Sequence, residues 1–218
     1  MMQMRQVSVM LSVLFFLGCS GNHHVPFRDD SDSRQPTKEH INRLIDDLAI
    51  SSSTDYEADR ARAFEAVEKL TALGKQGFPY LLDHLNDSRE SVELQRLNRR
   101  QNVGEACYYI IVLQIFNIPP GYAIPLIRKG ADGELHDRPF SAEQGLFDQS
   151  TISTWLENRK VDPLVALQVE ALEWLLEQEN KIGYPDPTSE ELFQAPLLLR
   201  LESLRKSVKG SQKGQREF

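Results

Sequence analysis

No apolar run in this chain approaches the roughly 20 residues that a membrane-spanning helix needs. The stretch Val7 to Leu17 stops after about 11, the length of the apolar core of an export signal, so no permanent transmembrane anchor is expected. Cysteine is scarce, with only Cys19 and Cys107 in 218 residues. Basic clustering is missing too. The 25 Lys and Arg stand against 32 Asp and Glu for a net charge of -7, and the two signs are interspersed. The basic residues that do gather, Arg205, Lys206, Lys209, Lys213 and Arg216, lie at the chain end, where a frayed, solvated tail is the simpler reading. Phosphate binding calls for a basic face, so nucleic acid is not an expected partner. EF-hand spacing, HExxH and GxSxG are all absent, and no cofactor, metal ligand or catalytic residue is assigned.

What is present first is an N-terminus with the three parts of an export signal: the charge of Arg5, the apolar stretch, and a small-residue exit. That exit, Phe16-Leu17-Gly18-Cys19-Ser20-Gly21, resembles the lipobox of bacterial lipoproteins. The resemblance implies cleavage after Gly18 and lipid modification of Cys19. Phe16 and Leu17 depart from the residues that family usually carries, whereas Gly18 and Cys19 match. Ser20 after the cysteine implies delivery to the outer membrane where the host has two. With Cys19 lipidated, Cys107 is left without a disulfide partner, and its place in the apolar run 103–111 makes it a small buried hydrophobe. Residues 19–36 are polar, with Pro26 and Pro36, and read as a tether. His23 and His24 within it lack the further ligands a metal needs.

Helical periodicity starts at Thr37. Ile41, Leu44, Ile45 and Leu48 fall on one face. Thr54 and Glu57 are spaced as a capping box for a second helix, whose stripe Ala63, Phe64, Val67, Leu70 ends at Leu73-Gly74, where glycine permits the left-handed terminal conformation. A third helix is expected from Phe78 to Leu85. The pattern Ala63-Phe64, Ala66-Val67, Leu70, Leu73-Gly74, Phe78-Pro79, Leu81-Leu82, Leu85, Asp87 resembles a HEAT or HEAT-like repeat, two helices joined by a tight glycine turn. Val103 to Ile118 resembles the first helix of another unit, but no partner helix follows it at the repeat distance. The expected fold is therefore all-α: a helical hairpin continued as a short, irregular HEAT-like superhelix with one long irregular loop.

Between those helices, residues 88–102 carry Arg89, Arg96, Arg99 and Arg100 among Glu90 and Glu93, and read as a solvated helix or loop. The long loop is 119–150, broken by Pro119, Pro120, Gly121, Pro125, Gly130, Gly133, Pro139 and Gly145. Some 30 residues without helical signal is long for a connection inside one domain, and such loops often bind. Tyr122 to Ile127 suits a short edge strand. Asp132, Glu134, His136 and Asp137 concentrate acid and imidazole, and with Tyr122 they form the candidate binding loop, although a solvated loop explains them as well. Helix resumes at Ile152, Trp155 and Leu156. Asp162-Pro163 are spaced as N-cap and first residue of the next helix, which runs to Gly183. Trp155 and Trp174 are expected core anchors. A last helix opens at Thr188 with Glu191 as a capping box, and Pro196 is expected to kink it.

The resulting organisation is a signal peptide at 1–18, a tether at 19–36, a helical domain at 37–208 and a disordered tail at 209–218. The leading functional expectation is a non-enzymatic, lipid-anchored module of the cell envelope that binds a protein partner. Two alternatives stand beside it: an immunity or inhibitor protein in the envelope, and a metal-assisted hydrolase built around His136.

Overall fold

Thr37 opens the first helix, α1 (Lys38–Asp46), by accepting a hydrogen bond from the His40 amide at 3.2 Å, which satisfies one of the four N–H groups a helix start leaves unpaired. The computed structural model describes residues 36–50, 55–92, 101–119, 122, 127–137, 139 and 145–214, with side chains to Ser207. Cys19, the signal peptide, residues 19–35 of the tether and Thr54 lie outside the described residues. The described part is all-α: seven α-helices and two two-residue or three-residue strand pairs. None of its helices is long and apolar enough to cross a membrane.

The second helix, α2 (Tyr56–Ala72), is capped by Asp55, which accepts from the Ala58 amide at 3.1 Å. Asp55 has the same preference for this role as the expected Thr54, being a short acceptor one position nearer the helix. Ala63 and Leu70 are buried, as expected, together with Ala66, but Val67 is only half-buried and Phe64 is exposed beneath the Arg60 guanidinium. Gly74 takes the predicted left-handed conformation, φ +60°, and a 3-10 turn at Gly74–Gly77 leads into α3 (Phe78–Asp83).

Residues 88–102 correct the expectation of a solvated helix or loop. Here β1 (Glu90–Ser91) pairs antiparallel with β2 (Gln101–Asn102), and residues 93–100, with Arg96, Arg99 and Arg100, lie outside the described residues. The pairing is fixed from both sides: the Ser91 hydroxyl donates to the Leu48 carbonyl at 2.7 Å and the Ile50 amide to the Glu90 carbonyl at 2.8 Å. Polar residues thus enter a ladder because the end of α1 supplies a third partner, which sequence spacing does not show.

Arg89 fastens the same corner. Its guanidinium reaches Asp46 of α1 at 2.8 Å and forks onto Asp87 at 2.6–3.1 Å. These bonds hold the Asp87 carboxyl down at about 2, below its ordinary 3.8. A carboxyl with a depressed folded value stabilises the fold above its unfolded value and loses that contribution as pH falls through the folded one. The stability difference between the wild type and Asp87→Asn should therefore be about 1–2 kcal/mol above pH 4, after allowance for the half-exposed Arg89, and should close by about pH 2. Urea midpoints measured at several pH values check this, and a difference that stays constant down to pH 2 would rule the pair out as its source.

Asn102 and Glu105 form a reciprocal capping box on α4 (Val103–Phe116), with bonds of 2.8 and 3.2 Å. Val103, Ala106, Cys107, Ile110, Ile111 and Ile115 are all buried. A helix apolar on nearly every side has to be central, and α4 packs against α2, α3 and α6 (Leu164–Ile182). The Cys107 thiol is pushed up to about 12 by burial, which makes it inert packing material.

The short α5 (Ile152–Glu157) is preceded by Asp148, whose carboxylate accepts from the Ser150 and Thr151 amides and from both hydroxyls. Trp155 meets Phe147 at a tilt with ring centroids 4.8 Å apart, Phe147 meets Phe116 at 5.8 Å, and Phe116 meets Trp174 edge-on at 6.0 Å. Both tryptophans are thus joined through one aromatic row, as core anchors should be. The start of α6 departs from expectation: Pro163 itself occupies the extended cap position without a side-chain bond, and the carbonyl of Asp162 accepts from Lys75 Nζ. That ammonium also collects the carbonyls of Arg159 and Lys160 at 2.9 Å each, so the chain before α6 is fixed by a distant cation instead of a local cap.

The last helix, α7 (Pro187–Gly214), is capped by Asp186, which accepts from the Ser189 amide at 2.8 Å, and not by Thr188. It runs unbroken through Pro196 and past 208, so residues 209–214, expected in the tail, are helical. Gly210 alone costs a helix only about 1 kcal/mol, which does not stop it. The helix lies along α6, held by Leu197, Leu201 and Leu204 and by the Arg205–Glu173 pair at 2.6 Å.

Candidate functional site

The region expected to be one long irregular loop contains a hairpin. β3 (Ile127–Lys129) pairs antiparallel with β4 (Leu135–Asp137), Arg128 lying opposite His136. The strand begins at Ile127, at the end of the stretch expected to be extended; residues 123–126 are not among those described. The turn is built from local acceptors. Gly133 donates to the Gly130 carbonyl at 3.1 Å, takes φ +83°, and Glu134 donates to the Asp132 carboxylate at 3.0 Å. Asp-Gly supplies both needs, an acceptor that reaches its own backbone and a residue free to adopt positive φ.

Period-two alternation then divides the hairpin between two faces. Arg128 and His136 point inward, while Ile127, Lys129, Leu135 and Asp137 are exposed. Arg128 is anchored in the interior. Its Nε and Nη2 each lie 2.8 Å from the Glu179 carboxylate on α6, and the two side chains are 2% and 0% exposed. Its remaining N–H groups donate to the carbonyls of Glu179 at 3.0 Å, Gly183 at 2.6 Å and Lys129 at 3.0 Å. The rings of Tyr184 and Phe193 lie 4.9 and 5.4 Å from the guanidinium carbon. The Ala131 amide adds a bond to the Ile182 carbonyl at 3.2 Å. A helix C-terminus leaves its last carbonyls without intrahelical donors. Here the hairpin supplies those donors, and Gly183, with φ +68° and no Cβ to strike Ala131, ends the helix where they arrive.

The five residues expected to form a binding loop therefore separate. Tyr122 is buried, 1% exposed, with its hydroxyl bonded to the Glu179 carboxylate; it is part of the anchor and not of a surface, because a phenol can be buried when its O–H finds an acceptor. Asp132 and Glu134 are exposed in the turn. His136 is half-buried, its Nε2 lying 2.9–3.0 Å from the Asp132 carboxylate, and that contact holds the Asp132 carboxyl below its ordinary value. A Cβ at Gly130 would sit 2.7–2.8 Å from the imidazole, so glycine is what lets the ring fold over the turn. Asp137 is exposed beside α6. Among the described residues no group of three or more His, Cys, Asp or Glu is placed to hold a metal.

Between β4 and the last turns of α6 the surface forms a cleft of about 300 Å³, lined by His136, Asp137, Pro139, Trp174, Gln178, Lys181 and Ile182. Sequence reasoning missed Arg128, Glu179 and every α6 residue of this wall. The signal for Glu179 was present. It stands four positions after Leu175 on the stripe Ala171, Leu172, Leu175, where a carboxylate demands a buried partner. No protein-family model, curated protein or solved structure matches this chain, so the site is described by its own chemistry.

Proposed function

We propose that this protein is a non-enzymatic, lipid-anchored module of the bacterial cell envelope, held through Cys19, that binds a protein partner on the outer face of the β3–β4 hairpin. The HEAT-like arrangement of α2 and α3 belongs to the scaffold in this reading. One observation carries it: Ile127 and Leu135 are 52% and 74% exposed on a hairpin whose inner face is locked to α6 by Arg128. Apolar side chains presented on a rigid element lose little conformational entropy when covered, which favours binding. Lys129 flanks them and supplies a polar rim. An inhibitor of a secreted toxin would be one form of such a module.

The test is capture from envelope extracts. Ile127→Lys with Leu135→Glu should weaken partner retention about tenfold or more while leaving the melting temperature unchanged, because both side chains are exposed. Retention equal to wild type would remove the hairpin as the binding face. In the same preparation Cys19→Ser should shift the protein from the membrane to the soluble fraction, and a chain that stays membrane-bound would overturn the lipid anchor. Deleting the whole loop is not a usable variant, since it removes Tyr122 and Arg128 from the interior.

A further inference from the structure

The cleft between β4 and α6 is a separate feature from the hairpin's outer face, and its lining is selective. We propose that it is a binding site for a neutral saccharide, one or two pyranose rings, independent of the protein-binding surface. Its volume of about 300 Å³ is at the small end of ligand pockets. Trp174, Pro139 and Ile182 give it an apolar wall, and an indole accepts the C–H face of a sugar ring while its neighbours stay wet.

The polar groups narrow the choice. Lys181 is bonded to Glu177 at 2.8 Å and His136 to Asp132 at 2.9 Å, so each positive or ionisable group on the rim already faces a carboxylate, which weakens its pull on an anion. An organic cation would pair with Asp137 but would offer no acceptor to the Gln178 amide N–H groups. The side chains of Asp137 and Gln178, by contrast, make no hydrogen bond to any other described residue. A carboxylate only accepts and an amide both donates and accepts. Neighbouring hydroxyls, each donor and acceptor at once, satisfy that pair. A purely apolar ligand would strip water from Asp137 and return nothing, which opposes its binding. Aromatic ring, amide and carboxylate facing one small space thus match an uncharged, hydroxyl-rich ring.

Trp174 and Trp155 give two indole N–H signals in a proton–nitrogen NMR spectrum of the full chain, and Trp174→Phe assigns them. Titration uses maltotriose and chitotriose at millimolar concentration, with triglycine and inorganic phosphate as counter-probes. At least one trisaccharide should shift the Trp174 signal and leave that of the buried Trp155 in place. Asp137→Ala and Gln178→Ala should each weaken that binding about tenfold, and thermal melts of both variants should match the wild type, confirming that they fold. Leu135→Glu alone, at a position opposite Lys129 and not Asp137, should leave the titration unchanged, which separates this site from the protein-binding face. A Trp174 signal unmoved by either sugar, moved equally by triglycine or phosphate, or moved as strongly in the Asp137→Ala and Gln178→Ala variants would overturn the proposal.

Discussion

Glu179→Ala is expected to destabilise the protein by about 3–5 kcal/mol, because it leaves Arg128 buried and charged with no counter-ion. The wild-type carboxylate accepts from Arg128 Nε and from the Tyr122 hydroxyl and lies 2.8 Å from Arg128 Nη2. Removing it strips the buried guanidinium of its counter-ion and Arg128 Nε of its acceptor. For a chain of this length the loss corresponds to a fall in melting temperature of roughly 10–15 °C. The size of the effect reports the penalty for an unpaired charge and not the worth of the pair. Arg128→Met combined with Glu179→Leu should therefore cost less than Glu179→Ala alone, since the buried charge disappears with its partner. The failure should also be local before it is global. Amide exchange at Ala131, whose N–H is bonded to the Ile182 carbonyl, should accelerate in Glu179→Ala under conditions where α4 remains protected. A single variant within about 1 kcal/mol of wild type, or a double variant less stable than the single, would show that Arg128 and Glu179 do not hold the hairpin.

The helices were legible in the sequence where one face is apolar at helical spacing and a breaker follows. Ile41, Leu44 and Ile45 in α1, Leu70 before Gly74, and Leu167 to Leu175 before Gly183 are buried as their spacing requires. Cap positions slipped by one or two residues, from Thr54 to Asp55 and from Thr188 to Asp186, because adjacent short polar residues compete for one role and only backbone geometry decides between them. The hairpin was missed for a different reason. Gly130 and Gly133 were weighed as breakers, whereas Asp132-Gly133 between short alternating segments is a turn signal in its own right. The anchor was invisible as a unit because Tyr122, Arg128 and Glu179 come from segments up to 57 residues apart, and no local pattern couples them. The cleft shares that limit: Trp174, Gln178 and Lys181 read as ordinary positions on α6 until β4 is laid across them.

Gly104→Ala sets two magnitudes against each other, and the packing cost should win. Gly104 sits in the first turn of α4, where alanine by itself would favour the helix by about 1 kcal/mol. A Cβ there, however, would lie 2.1 Å from the Leu85 carbonyl oxygen and 2.7 Å from its carbon. Neither atom belongs to a flexible side chain that can swing away. The Leu85 carbonyl is also held by the Gln149 side-chain amide at 2.7 Å, and the Gly104 amide donates to the Asp87 carbonyl at 2.9 Å. Relief therefore requires α4 to move by about 1 Å from the end of α3, opening contacts of the central helix that bury Val103, Ala106 and Cys107. Overpacking of this kind costs about 1–3 kcal/mol and more when backbone is struck, so the net loss is expected near 3 kcal/mol, seen as a lower urea midpoint. Serine at the same position should behave alike, its Cβ meeting the same carbonyl. A Gly104→Ala chain as stable as the wild type, or more stable, would mean that helix propensity decides here and that α4 does not rest directly on the Leu85 carbonyl.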